Sequence, residues 1–514
     1  MTLWASAART PDKPALIMGD SGRTLTFAEL NERSLTIGAL YARCGLQPGD
    51  TVAVYLENHP DYLPLYFGAV RSGLYFVPLN RHLTAPEVAY IVADSGAKLV
   101  VASERGAATA DLPAILPGLR RFGADGPLPG YESLPAALAE IGPVPDRGNL
   151  RGAPMYYSSG TTGRPKGIKW MLSGKSFEES IGFETFLTEQ FAITAATVYL
   201  STGPNYHSAP LTYPAVVIAS GGTAVIMERF DAERSLALID QHAVTMSQWV
   251  PTMFKRLLGL PGEVRGKYDL SSHQQAIVAA APCPPEIKRA MIDWWGPIVT
   301  EYYGASETYG MALSTAREWL GHPGSVGKAV LGVPHICDES GAERPAGEPG
   351  LIYFERDTDV FQYHNDPAKT ERSRHPRHPF WRTVGDIGYL DEDGYLYLTD
   401  RQAHTIISGG TNIYPQEVED ALITHPSVLD AAVIGVPDAD LGEVVKAVVV
   451  LQPGVPAPGQ DEALLSWLSG RIARYKLPRS VDFVATLPRL DNGKLYKHKL
   501  REQYRSAAEN NSLE

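Results

Sequence analysis

From Thr51 to Gly304, short apolar runs alternate with segments of helical period, and this limits the chain to a narrow set of folds. TVAVYLEN at 51–58, YFVPLN at 75–80 and KLVVAS at 98–103 read as strands buried on both faces. Helices at Pro60–Ser72 and 84–94 separate them. Strands joined by helical crossovers run parallel, and a parallel sheet needs cover on both sides. The fold class is therefore α/β, built of layers. Upstream, Phe27, Leu30, Ser34, Ile37 and Leu40 recur near the helical period after Thr26, and Gly45 can close that helix. Residues 104–150 are richer in Pro, Gly and Ala and read as connecting structure.

A second α/β half follows residue 150. Phe177–Ala195, Asp231–His242 (with Asp231 as cap), Met253–Leu258 and Glu286–Trp294 read as helices. Strands are expected at 198–202, 223–227, 246–251, 276–281 and 298–304. Between Gly332 and Tyr397 the texture changes to short segments such as GLIYFER and GYLYLTD between Gly and Asp turns, which predicts a small antiparallel sheet or barrel. The pattern resets near residue 400. A helix at Pro415–Leu422, strands at 429–437 and 445–454, a helix at 461–474 and a strand at 480–485 make a small α+β domain. The expected division is 1–400 and 401–514, with a hinge near 400.

At 514 residues the chain is too long for one ordinary domain. A net charge of −12 argues against a nucleic-acid binder, which needs a basic face. Cys44, Cys283 and Cys337 have neither metal-ligand nor disulfide spacing. No secretory signal and no membrane-length apolar run is evident, so a cytoplasmic protein without an integral membrane segment is expected.

The chemistry concentrates first in YSSGTTGRPKGI, Tyr157–Ile168. Its glycines let backbone N–H groups converge, its hydroxyls add donors, and Lys166 adds a mobile positive charge, together a nest for a polyphosphate. It fits neither the Walker A spacing nor the dinucleotide fingerprint. A bland Gly/Ser surface turn is the alternative. EYYGASETYG, Glu301–Gly310, follows a strand. Tyr303 can stack on a purine, Ser306 can donate to a phosphate, and Glu307 can hold Mg²⁺, which prefers oxygen ligands and arrives with phosphates. Core filling is the alternative for one of the two tyrosines. Asp386 lies between Gly385 and Gly388 and suits a ribose diol, with Arg401 able to add donors. His207, in NYHSAP, can be a base or a wall residue. Small residues at Ala280, Ala281 and Gly304, with Trp249, are candidates for an apolar pocket. NG in LPRLDNGKLYKHKL presents a lysine, but the residues alone do not choose among Lys494, Lys497 and Lys499.

In order and spacing, these motifs resemble the acyl-adenylate-forming (AMP-binding) superfamily across nearly the whole chain, in particular bacterial acyl-CoA synthetases and fatty-acid–CoA ligases. The resemblance implies a large N-terminal domain of layered α/β subdomains with a small β-barrel-like part, then a small mobile C-terminal domain. It implies ATP, Mg²⁺ and CoA. Ser159, Gly160, Thr161, Thr162, Gly163 and Lys166 would hold phosphates. Tyr303, Ser306, Asp386 and Arg401 would hold the rest of the nucleotide, and Glu307 and Thr161 the metal. Lys494 becomes the adenylation lysine, and His207 a wall between acyl and CoA channels. Asp400 becomes the pivot, while Ser408, Gly409 and Gly410 line a CoA channel after rotation. The chain departs from the pattern at His404, where relatives often carry lysine.

The implied reaction is activation of a carboxylic acid to acyl-AMP with pyrophosphate release, then transfer to CoA. A medium or longer aliphatic or arylalkanoic acid is expected, with benzoate- or cinnamate-like acids as the rival. A sensor that binds acyl-AMP without turnover is disfavoured by the presence of Lys494, Glu307 and the glycine loop. Small-molecule partners are expected, no nucleic acid, and a homodimer is left open.

Overall fold

A computed structural model describes residues 2–142, 150–158, 165–401, 404–409, 411–438, 440–489, 495–497 and 499–504, apart from the side chains of Asp400, Arg401 and Asn412. Two large sheets form the body. The eight-stranded sheet runs, edge to edge, through the strands beginning at Phe361, Lys166, Ala153, Tyr75, Thr51, Ala97, Arg120 and Glu132. The nine-stranded sheet runs through those beginning at Lys328, Met311, Val299, Gln275, Met246, Val198, Thr223, Pro14 and Thr24. Both are parallel at the centre, as crossover helices require; the nine-stranded sheet turns antiparallel at both edges and the eight-stranded sheet only at its Phe361 edge.

The helix Phe27–Arg43 shows how sequence becomes packing. Thr26 and Glu29 close a reciprocal capping box: Glu29 N–H donates to Thr26 Oγ1 (3.2 Å) and Thr26 N–H to Glu29 Oε2 (2.8 Å). Phe27, Leu30, Ser34, Ile37 and Leu40, the residues picked out by period, are all buried, together with Gly38 and Tyr41.

Two expectations need correction. Residues 104–150 do more than connect, because Arg120–Gly123 and Glu132–Ser133 extend the eight-stranded sheet in parallel. Each pairs over so few residues that no alternation can develop. A helix at Ser208–Ala219 was not anticipated. It is buried from Leu211 to Ile218 and carries Pro214 inside it. A helix covered on all sides has no polar face and hence no legible period.

Val333–Cys337, Gly350–Glu355, Asp386–Leu390 and Leu396–Arg401 form the expected antiparallel sheet, with Trp381–Arg382 attached. Its strand Asp386–Leu390 delivers Asp386 to the ends of the nine-stranded sheet. The smaller C-terminal domain packs the helices Pro415–Ile423 and Gln460–Ser469 on a sheet whose long hairpin is Val428–Asp438 with Gly442–Leu451.

Lys255, on the helix Pro251–Leu258, links the two domains. Its Nζ donates to the carbonyls of Val428 (3.0 Å) and Leu429 (2.6 Å). Burial lowers its pKa to about 8, with Asp430 opposing and Arg489 adding to the shift. Raising the pH through about 8, or the change Lys255→Met, is expected to broaden the range of domain orientations, because a neutral or absent ammonium holds the two carbonyls less tightly. Distance distributions between dyes placed one in each domain measure this, and distributions unchanged by both treatments would contradict it.

Candidate active site

The strands Ala153–Ser158 and Lys166–Trp170 form an antiparallel hairpin that pairs Ser158 with Lys166. Ser159, Gly160, Thr161, Thr162 and Gly163, which lie between them, fall outside the described residues, as do Gly410 and Lys494. Lys166 stands at the turn end of the hairpin, partly buried. Beside it, the edge strand Phe361–Tyr363 pairs Tyr363 with Ile168. Tyr363 donates its hydroxyl to Glu307 Oε1 at 2.9 Å. The Lys369 ammonium lies 3.7 Å above the Tyr363 ring. Burial and then the neighbouring Lys166 charge lower the pKa of Lys369 to about 8, with Glu307 and Asp366 opposing. Lys166 and Glu307 both lie within electrostatic reach of Lys369. No sequence signal marked Tyr363 and Lys369, which arrive from a strand and helix far along the chain.

Glu307 is buried, on the loop that leaves the strand Val299–Gly304. Thr308 beside it has φ +52°, the left-handed region that a β-branched residue rarely enters. Ser306 uses its carbonyl to accept the Trp170 indole N–H at 2.7 Å, which anchors the loop to the hairpin strand Lys166–Trp170. Among the described residues no group of three or more His, Cys, Asp or Glu side chains could hold a metal unaided. A single buried carboxylate among hydroxyls fits Mg²⁺ that brings its remaining oxygens from phosphates and water.

Asp386 and Tyr303, assigned separately from the sequence, touch each other. The Tyr303 hydroxyl donates to Asp386 Oδ2 at 2.7 Å and contacts the Tyr309 hydroxyl at 2.5 Å. Burial, followed by the Asp386 charge, raises the Tyr303 phenol well above its ordinary pKa, so it remains a donor. Both residues line a cavity of about 900 Å³ between the domains, with Ala280, Ala281 and Gly304 at its wall. Ala280 sits at φ +75°, an observed strain at the cavity rim. His404 is also on the wall, and its carbonyl accepts from Arg501 at 2.9 Å. Ser408 and Gly409 lie on the small domain, and Gly409 N–H donates to the Leu441 carbonyl.

Two pocket candidates lie elsewhere. Trp249 is 1% exposed, within ring contact of Phe254 and Trp295, and its N–H donates to Ser247 Oγ at 2.6 Å. It is core on the far side of its strand and does not line the cavity, because successive side chains alternate faces. His207 caps the unanticipated helix Ser208–Ala219 and packs 4.5 Å from the Tyr206 ring. Tyr206, not His207, is on the cavity wall.

Residues 3–362 match the AMP-binding enzyme family and residues 417–494 its C-terminal domain, so the chain belongs to the AMP-binding enzymes. It is an AMP-forming acid–CoA ligase. It is 34% identical to a sulfoacetate–CoA ligase of Cupriavidus necator, covering 96% of this chain and 95% of the relative. It is 33% identical to a feruloyl-CoA synthase of Amycolatopsis sp., covering 94% of each. Among solved structures it superposes on ATP-bound MatB from Rhodopseudomonas palustris with a TM-score of 0.83 and 31% identity, covering 99% of this chain and 100% of that one.

The first residue of the Glu301–Gly310 motif has a structural role. Glu301 accepts from Lys288 Nζ at 2.7 Å and from Cys283 N–H at 3.2 Å, with both side chains of the ion pair buried. It ties the segment after Ala281 to the sheet. Lys288→Met is expected to destabilise the fold by ~3–5 kcal/mol, because it strands a buried carboxylate. Adding Glu301→Gln should recover most of that loss. Denaturant midpoints of the single and double variants decide it.

Proposed function

We propose that this enzyme activates a carboxylic acid of medium or larger size, aliphatic or arylalkanoic, in two steps at one site. In the first, an oxygen of the acid's carboxylate attacks the α-phosphorus of ATP. The bond from that phosphorus to the β-phosphate bridge breaks, giving acyl-AMP and pyrophosphate. In the second, the CoA thiolate attacks the acyl carbon and AMP leaves. The observation that carries this reading is the grouping of Lys166, Glu307, Tyr303 and Asp386, a cation and two buried carboxylates at the ends of three sheets.

The roles follow from the chemistry of each group. Lys166 and the hairpin amides neutralise the triphosphate. Asp386 accepts from the ribose hydroxyls, and Tyr303 both holds that carboxylate and supports the adenine. Ser306 donates to the α-phosphate. Glu307, with Thr161, would hold Mg²⁺, which supplies charge neutralisation to the phosphates. Lys494 reaches the carboxylate and α-phosphate in the first step. The small domain then turns about Asp400, near the boundary at 400, and Ser408, Gly409 and Gly410 open a path for pantetheine. Two chemistries at one centre are a physical reason for a mobile domain. Arg401 stays near the ribose, and Tyr206, beside His207, is the residue of that segment on the cavity wall.

The preference for a larger acid is supported by small residues at Ala280, Ala281 and Gly304 on the cavity wall. An aryl acid is the rival reading, favoured by Tyr302, which lines the cavity and stacks on Tyr213 with ring centroids 6.1 Å apart.

Three measurements test this. Pyrophosphate release should depend on the acid across a panel of chain lengths and aryl acids, with AMP formed and thioester appearing on addition of CoA; ADP in place of AMP would sink the reading. Lys494→Ala should slow acyl-AMP formation by roughly a hundredfold or more and leave thioester formation from supplied acyl-AMP nearly intact, and equal losses would remove its assigned role. A Cβ at Gly304 would meet only the Gly310 carbonyl at 3.6 Å and the Tyr302 ring at 3.7 Å, which is ordinary contact. Gly304→Leu should therefore fold and shift preference toward smaller acids; an unchanged profile would place the acid elsewhere.

A further inference from the structure

Lys369 is held in one geometry by its surroundings. It sits in the first turn of the short helix Pro367–Arg372, where Asp366 Oδ1 accepts its backbone N–H at 2.8 Å. Thr370, next along, accepts the Tyr363 N–H at 3.0 Å and so ties the helix to the edge strand. The ammonium rests 3.7 Å over the Tyr363 ring, and that ring's hydroxyl is bonded to Glu307. Lys166 stands alongside from the phosphate hairpin. Among the described residues, neither ammonium has a carboxylate within the 4.0 Å of an ion pair.

Two neighbouring cations without a carboxylate partner repel each other, and partial burial of one makes the repulsion harder to screen. A surface lysine would swing into water to escape. Lys369 is instead seated on an aromatic face directed toward Lys166. This arrangement is unfavourable when empty and favourable once a polyanion accepts from both groups. Two lysines carried on separate elements and brought side by side can share the oxygens of one phosphate or of a short chain of phosphates.

We propose that Lys369 is a second binding cation for the leaving pyrophosphate half of ATP, acting with Lys166. This rests on the assignment of Lys166 to the triphosphate. As the bond from the α-phosphorus to its bridging oxygen breaks, the electron pair and negative charge pass to pyrophosphate. Lys369 neutralises charge on that leaving group and takes no proton from it. AMP and the acyl group lie on the other side of the broken bond and make no use of Lys369. The residue therefore serves the first half-reaction only.

The test uses the full-length enzyme with the best acid of the panel, and the variants Lys369→Gln and Lys369→Arg. Lys369→Gln should raise both the KM for ATP and the inhibition constant for pyrophosphate by about tenfold, the worth of one charge-assisted hydrogen bond. Lys369→Arg should restore both to near wild type. Thioester formation from supplied acyl-AMP and CoA should be the same in all three proteins. An unchanged pyrophosphate inhibition constant in Lys369→Gln overturns the proposal. So does an equal fall in both half-reactions, which would make the lysine structural. If wild-type enzyme releases no pyrophosphate at all, the parent assignment has failed, and this one with it, and the wild-type control alone shows that.

Discussion

Two tyrosine–carboxylate hydrogen bonds, Tyr303 to Asp386 and Tyr363 to Glu307, hold the candidate site together. Tyr303 belongs to the nine-stranded sheet, Asp386 to the small antiparallel sheet and Tyr363 to the edge of the eight-stranded one. The first bond crosses from one sheet to another and the second ties the eight-stranded sheet to the loop that leaves the nine-stranded one, so the site exists only where all three sheets meet. A buried carboxylate without donors would take up a proton or open to water. A phenol donor satisfies one oxygen without cancelling the negative charge. On the proposed assignment that charge serves ribose hydroxyls at Asp386 and a cation at Glu307. Replacing either phenol by lysine or arginine would satisfy the same oxygen but use up the charge on which the proposed chemistry depends.

Most of this was legible where local sequence decides the outcome. The capping box at Thr26 and Glu29 and the buried stripe behind it follow from residue type and spacing. The parallel strands of both sheets follow from apolar runs too continuous to face water. What escaped was set by partners far away. The helix Ser208–Ala219 is covered on all sides, so its sequence carries no period. Read from the sequence, Trp249 groups with small residues as apolar pocket lining, but the pleat turns it toward Phe254 and Trp295. Tyr363 and Lys369 follow the strand Lys166–Trp170 by some two hundred positions, and sheet pairing at Tyr363 and Ile168 brings them there. Nothing local marks them.

The contact between the domains is unlike the interior of either. Each domain has its own apolar cluster, whereas the wall between them is a large cavity with many charged residues. Lys255 bridges it by donating to two backbone carbonyls, a contact that any residue type at 428 and 429 could accept. Backbone acceptors impose little shape selectivity, and an interface built around an open cavity separates at small cost compared with a packed apolar one. Such a boundary suits a domain that must leave one face and present another.

The nucleotide half and the acid half of the site differ in how far they can change. Substitution at Tyr303, Asp386, Tyr363 or Glu307 breaks a link between sheets. Gly310, in the same loop, is equally fixed, because a Cβ there would fall 2.1 Å from the Phe354 ring. Gly304, six residues earlier, has room for one, and Ala280 and Ala281 face the same cavity with side chains of a single carbon. On the proposed assignment, the residues that meet the acid are those whose size is not dictated by packing. The acid can then be exchanged by a few substitutions at strand ends while the phosphate machinery stays intact. A chain about equally similar to a sulfoacetate ligase and a feruloyl synthase is the expected product of that asymmetry.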